Sequence, residues 1–408
     1  MSDQDIHPNK YSELRSIYEY YIDSYIALYQ LKTEKEEDLS TIYKMIKTEL
    51  IDSKVCLPKS LIKDILNIIP YNNRYTKSYL SLAKLISDDY HVEEVTSIPV
   101  VSNFLFYKEY GIKLDKSADF EQNDLYNLDI HAENTIYTAI MNNDKERFIM
   151  FTERDDFDEK QSLLSNLYPD YYYYYYYFYS LLEICCYHGA VDCFKLLRTK
   201  FNSEITQRCL HFSFLGGNPE IMSECLKYQK PDSECMEYAI ISHNIDFVTF
   251  LMNEYNIKIK LQDCTKYKNL ESFLVYFDQT NDIRYCYTYS AVFNIPSLSE
   301  YFLSHGVNIN EKIHNGYTAL HIAAKCNSKE IIELLISHGV NINEKIHNGN
   351  TALHTAAMFN SKEVTEVLIS HGININIKNC LGKTALQTAT TYNSKEIVGL
   401  LISHGAKE

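Results

Sequence analysis

A chain of 408 residues, 46% hydrophobic and 23% charged, fits an ordered globular protein of about two to three domains and argues against long disorder. The net charge of −15 disfavours a general nucleic-acid-backbone binder, and no apolar run approaches the roughly 18 residues of a membrane span. The 11 cysteines are scattered without a C-x-x-C pair, and with a polar, acidic opening (Met1, Ser2, Asp3) unlike a secretory signal they read as reduced thiols of a soluble intracellular protein, cytoplasmic or nuclear. From the N-terminus, Leu14, Tyr18, Tyr21, Tyr25 and Tyr29 step by three and four, as do Leu39, Ile42, Ile46 and Leu50, which predicts amphipathic helices. Pro58 and Pro70 bracket a third helical segment, and residues 74–90 form a fourth. Residues 1–115 are thus expected to be helical and non-repetitive, and the polar, acidic stretch 116–133 to be a linker.

Residues 134–290 contain apolar segments that lead into acidic residues in a recurring way. Leu182, Ile184, Cys185 and Cys186 precede Asp192; Phe212, Phe214 and Leu215 precede Glu220; Tyr238, Ala239 and Ile240 precede Asp246. Asp192, Glu220, Asp246 and Glu271 lie 28, 26 and 25 residues apart. This spacing predicts degenerate helix pairs with shortened connections. Residues 171–177 are seven consecutive tyrosines, read as a loop tract, with a tyrosine contact surface or phosphosite as the alternative.

From 291 to 408 the repeat is regular. The segment SHGVNINEKIHNG occurs at 304–316 and again, unchanged, at 337–349. Gly306, Gly339, Gly372 and Gly405 are each 33 residues apart, as are Thr318, Thr351 and Thr384, and Glu330, Glu363 and Glu396. Thr318 can cap a first helix, Asn327 with Glu330 can open a second, and Ile331, Ile332, Leu334, Leu335 and Ile336 supply a broad apolar face. The period, the T-A-L-H phrase and the L-L-I-x-x-G ending resemble the ankyrin repeat, in which a β-hairpin precedes two antiparallel helices. The phrase N-S-K-E-I is most similar to the large ankyrin families of trichomonad protists, and the middle stretch resembles the domain of unassigned function that precedes their repeats. The resemblance implies an all-α ankyrin-repeat solenoid with β-hairpin loops, preceded by a helical N-terminal region. Two departures stand out: Ala319, Ala352 and Ala385 replace the usual proline, and Ile313, Ile346 and Asn379 replace the usual hairpin aspartate, placing isoleucines at hairpin tips.

Catalytic and metal motifs are weak. Gly382-Lys383-Thr384 mimics the end of a P-loop, but the required upstream glycine is Ile377. Eight histidines sit at fixed repeat positions and therefore stack rather than converge, so no metal and no cofactor are expected. Cys185, His188 and Asp192 would share one helix face, but Gly189 places a turn among them; Cys185 reads as a packed thiol, and an enzyme centred on it is a remote alternative.

What remains is protein recognition. The copies differ most at Tyr317 against Asn350, Ile322 against Thr355, Lys325 against Met358, and Cys326 against Phe359, the positions that touch partners in ankyrin arrays. With His314, His347, Ile313, Ile346, Leu381 and Tyr392 they form an expected partner-binding ridge. Residues 304–408 carry 9 lysines against 8 acidic residues, leaving −16 on the rest, which favours a protein partner over nucleic acid. The expected function is a non-catalytic protein–protein interaction module or scaffold; an architectural or oligomerising scaffold is the alternative.

Overall fold

The computed structural model describes residues 10–120, 125, 127–169 and 178–407; the tyrosine tract at 171–177 lies outside them. Residues 18–263 form one compact unit, and residues 10–17 join 264–407 in another. Both are built of helices, with a single two-stranded antiparallel ribbon, β1 (Ser162–Leu163) with β2 (Tyr179–Ser180), among the described residues. No described helix is long and apolar enough to cross a membrane.

The stepping from Leu14 to Tyr29 predicts one helix, but it is interrupted at Tyr18. Helix α1 (Lys10–Ile17) ends there and belongs to the other unit; α2 (Glu19–Tyr29) begins this one. Next come α3 (Glu36–Ile46), α4 (Pro58–Ile68), α5 (Thr76–Asp89) and α6 (Val100–Tyr110). Pro58 occupies the first turn of α4, where its missing N–H costs nothing, and Leu61, Ile62, Ile65 and Leu66 bury its apolar face.

The helix pairs of this unit are α7 (Ile136–Met141) with α8 (Lys145–Thr152), α9 (Leu181–His188) with α10 (Val191–Lys200), α11 (Gln207–Gly216) with α12 (Pro219–Tyr228), and α13 (Ser233–Ile241) with α14 (Ile245–Tyr255). Asp192, Glu220 and Asp246 sit in the first turns of α10, α12 and α14, where a carboxylate complements the helix dipole. First helices α9, α11 and α13 pack side by side. The early helices are tied to these pairs: the Tyr187 hydroxyl donates to Pro70 O at 2.8 Å and accepts from Asn73 N–H at 3.0 Å. Gln30 likewise donates to His243 O at 2.9 Å.

The other unit opens near α15 (Leu261–Lys266) and α16 (Leu270–Thr280). Pairs α17 (Ile283–Ser290) with α18 (Pro296–Ser304), α19 (Ala319–Cys326) with α20 (Lys329–Ser337), α21 (Ala352–Phe359) with α22 (Lys362–Ser370), and α23 (Ala385–Thr391) with α24 (Lys395–Ser403) follow. First helices form one layer and second helices the other. Small residues at Ala323, Ala324, Ala356 and Ala357 are fully buried and let the helices approach closely. Helix α1 docks on α16 through the buried Leu14 and a polar cluster: the Tyr11 hydroxyl donates to Glu271 Oε1 at 3.0 Å, and Arg15 Nε does so at 3.1 Å.

Two expected caps are built differently. The Thr318 hydroxyl lies 2.8 Å from His321 Nδ1 instead of accepting a backbone N–H. Asn327 does not open α20. It ends α19 in the left-handed conformation (φ +56°) and reaches the next repeat, accepting from Val364 N–H at 3.1 Å and donating to the Glu363 carboxylate.

Candidate partner-binding surface

The surface is positioned by the hairpins that precede each first helix. Ile313 N–H donates to Tyr317 O at 2.9 Å, Ile346 N–H to Asn350 O at 3.0 Å, and Asn379 N–H to Lys383 O at 3.0 Å. Successive hairpins join through His347 N–H to Asn315 O at 3.0 Å and Cys380 N–H to Asn348 O at 2.9 Å. Gly316 and Gly349 adopt positive φ at these joints, and a Cβ on either would meet His347 or Cys380 at 2.9 Å or less.

The hairpin substitutions have two physical outcomes. Asn379 does the work of the usual aspartate: its Oδ1 accepts from Leu381 N–H at 2.9 Å and Lys383 N–H at 3.0 Å. Ile313 and Ile346 instead fold inward and are only 9% and 5% exposed. They are therefore not exposed tips, and they leave the ridge: an apolar β-branched side chain gains more by covering the core below it than by facing water. Ile322 and Thr355, on first helices, and Asn350, in the hairpin, all expected as variable contact positions, are also buried.

The other candidates reach the surface to differing extents. Phe359, Leu381 and Tyr392 are 47%, 80% and 53% exposed. Lys325, His314 and His347 are exposed, and Tyr317, Cys326 and Met358 are half-buried. Phe359 lies under the Lys325 ammonium, 5.3 Å from the ring centroid, and makes no described ring contact with Tyr392. Met358 Sδ takes the Asn350 amide at 3.7 Å, and His314 Nε2 lies 2.9 Å from the Tyr285 hydroxyl.

The family model of ankyrin repeats (3 copies) matches residues 269–346, 287–379 and 341–408. The last part of the chain is an ankyrin-repeat array. The model of a domain of unknown function (DUF3447) matches residues 201–276, ending just inside the start of the ankyrin match. No curated protein matches the chain. Ankyrin repeats are in general protein–protein interaction modules, and ankyrin-repeat proteins are typically non-enzymatic.

Within the ankyrin array one of the two T-A-L-H histidines, His354, bonds its repeat to the next. Thr351 N–H donates to His354 Nδ1 at 3.2 Å, which leaves Nε2–H to donate to Lys383 O, 3.0 Å away in the next repeat. In His321, Nδ1 is taken by the Thr318 hydroxyl, and Nε2 faces the Asn350 backbone without reaching hydrogen-bond geometry. Burial holds both histidines below the usual imidazole range, His321 at about 4. In the third copy Gln387 takes this position and completes a capping box with Thr384.

Outside the ankyrin repeats, the Cys185 constellation is not assembled. Cys185 is fully buried, and burial pushes its thiol up. His188 Nε2 is 3.0 Å from the Tyr168 hydroxyl, while Asp192 Oδ2 accepts from the Asn143 amide at 2.8 Å across the turn at Gly189. A thiol reagent applied to native protein at neutral pH should leave Cys185 unmodified while the exposed Cys380 reacts. Mass mapping that finds both equally modified would restore a reactive Cys185.

Proposed function

We propose that the chain is a non-catalytic scaffold, in which a helical region (1–115) and degenerate helix pairs (134–290) carry a regular array (291–408) that binds another protein. The contact ridge is Lys325, Phe359, Leu381 and Tyr392, edged by His314, Tyr317, Cys326, His347 and Met358. One observation supports this most: Phe359, Leu381 and Tyr392 are exposed although Leu320, Leu353, Leu386 and the paired alanines already fill the core. Large aromatic and apolar side chains held in water are the residues from which interface hot spots are made. The near-neutral charge of 304–408 suits a protein partner better than nucleic acid. All 11 cysteines being free thiols supports residence in the reducing cytoplasm. The N-S-K-E-I phrase supports kinship with the trichomonad families.

The test is paired. Replacing Phe359 and Tyr392 by Ala should weaken capture of the partner isolated from native cells by about 2 kcal/mol or more, with thermal unfolding nearly unchanged. Unchanged binding per folded molecule, with a marked loss of stability, would make both residues core positions. Sedimentation that detects a self-association lost in the same variant would shift the reading to an oligomerising scaffold.

A further inference from the structure

Three side chains of consecutive helix pairs converge where their sequence spacing gives no warning. His211 is on α11; Asp232 and Cys235 are at the start of α13. A ring nitrogen of His211, a carboxylate oxygen of Asp232 and Sγ of Cys235 all lie within 4.8 Å of one another, the one such cluster of metal-ligating groups among the described residues. His211 is 3.0 Å and 3.1 Å from the two Asp232 oxygens. His211 and Cys235 are buried, while Asp232 keeps a path to solvent.

The surroundings resemble an outer ligand shell. Tyr238 stacks on the His211 ring at 6.0 Å and fixes its plane. Without a metal, His211 Nε2–H donates to Asp232; a metal bound at Nε2 would shift that proton to Nδ1, which faces the Glu234 carboxylate at 3.8 Å. Asp232 Oδ1 is already anchored by the N–H groups of Glu234 and Cys235 at 3.0 Å each. Burial opposes ionisation of Asp232, but the His211 and Cys235 hydrogen bonds prevail and hold it at about 2. The comparable joint in the array, His354 to Lys383, offers a neutral carbonyl and no sulfur.

We propose that His211, Asp232 and Cys235 bind one Zn²⁺ ion that clamps the pair α11–α12 to the pair α13–α14. Imidazole, carboxylate and thiolate together are a zinc donor set, and tetrahedral bonds of about 2.0–2.3 Å need ligand atoms about 3–4 Å apart. The cluster reaches that spacing by closing about 1 Å. A water completes the fourth position, and the Gln207 amide, which donates to Asp232 Oδ2 at 3.0 Å, steadies the carboxylate. As the S–Zn bond forms, the Cys235 S–H bond breaks and its proton passes to solvent; nothing is oxidised or reduced, and binding weakens in acid.

The test uses the full-length protein stripped with a chelator and titrated with ZnCl₂ against a colorimetric zinc indicator. One equivalent should bind and raise the unfolding temperature, and Co²⁺ in its place should give a thiolate-to-metal absorption band. Cys235→Ser and His211→Gln should each lose the band and weaken binding by more than about 100-fold, and Glu234→Gln by about 10- to 100-fold. Asp232→Asn keeps the helix cap and serves if Cys235→Ser does not fold, judged by circular dichroism without metal; it should also lose the ion. Cys380→Ser should bind as the parent does. Stripped parent protein that takes up no zinc, or zinc retained by Asp232→Asn and Cys235→Ser, overturns the proposal.

Discussion

Replacing Arg15 by Ala should destabilise the repeat-bearing unit by about 3 kcal/mol, far more than the loss of a surface ion pair. Glu271, on α16, is only 7% exposed. Among the described residues its carboxylate is met by the Arg15 guanidinium and the Tyr11 hydroxyl, whose own ionisation is pushed up to about 12 by burial and by the Glu271 charge. Without Arg15 a buried carboxylate keeps a single neutral donor, and the desolvation already incurred is no longer offset. Lys10 to Asn281 at 2.6 Å and Tyr11 N–H to Asp278 at 3.3 Å hold the same helix at its other end, so α1 should loosen rather than leave. Hydrogen exchange in α16 reads the effect locally, which matters because a chain of two compact units need not unfold in one step. The double variant with Glu271→Gln should recover much of the loss, since the uncompensated charge is gone. A change below about 1 kcal/mol would place the pair among ordinary exposed bridges.

Acid should weaken the array before its carboxylates are fully titrated. His321 is buried and neutral, held at about 4 against 6.5 in an open chain; burial is the main cause, the Asn350 and Glu344 backbone and the Glu344 charge counteract it, and Lys312 adds to it. The unfolded chain therefore binds a proton that the folded chain refuses between these two values. Stability is complete above about pH 6.5 and falls as pH drops toward 4, by about 3 kcal/mol for this one residue. His354 acts in the same direction. His321→Gln imitates what the chain does at Gln387, and should flatten the pH dependence of urea unfolding over this window relative to the parent. An identical slope in parent and variant would mean that His321 takes its proton in the folded state without cost.

The regular repeats were legible because a 33-residue identity imposes its own alignment, and the helices of the middle pairs because an acidic first turn follows each apolar segment. Exposure was harder to read. Phe359 and Tyr392 could be placed outside because the leucine and alanine positions already account for the core. Ile313 and Ile346 could not, since a hairpin drawn from sequence does not say which way its residues lean, and the polar role expected there survives only in Asn379. The Thr318 hydroxyl had two partners within reach, the helix backbone and His321, and local pattern does not rank them. The Arg15–Glu271 pair spans 256 residues, and His211 lies 21 residues from Asp232; such contacts exist only once the chain has folded.

The joints between repeats have a consequence for how such a chain changes over generations. Asn341, Asn374 and Lys407 each donate a backbone N–H at 2.9 Å to the asparagine 31 residues earlier, Asn310, Asn343 and Asn376, and the hairpin joints likewise run from N–H to C=O. In these hairpin-level joints the donor is main chain, and the acceptor is main chain or an asparagine that the motif itself copies. A whole 33-residue unit inserted by tandem duplication of the gene would meet matching acceptors on one side and offer them on the other. Array length can then drift by recombination between identical segments while side chains such as Phe359 and Tyr392 diverge one at a time.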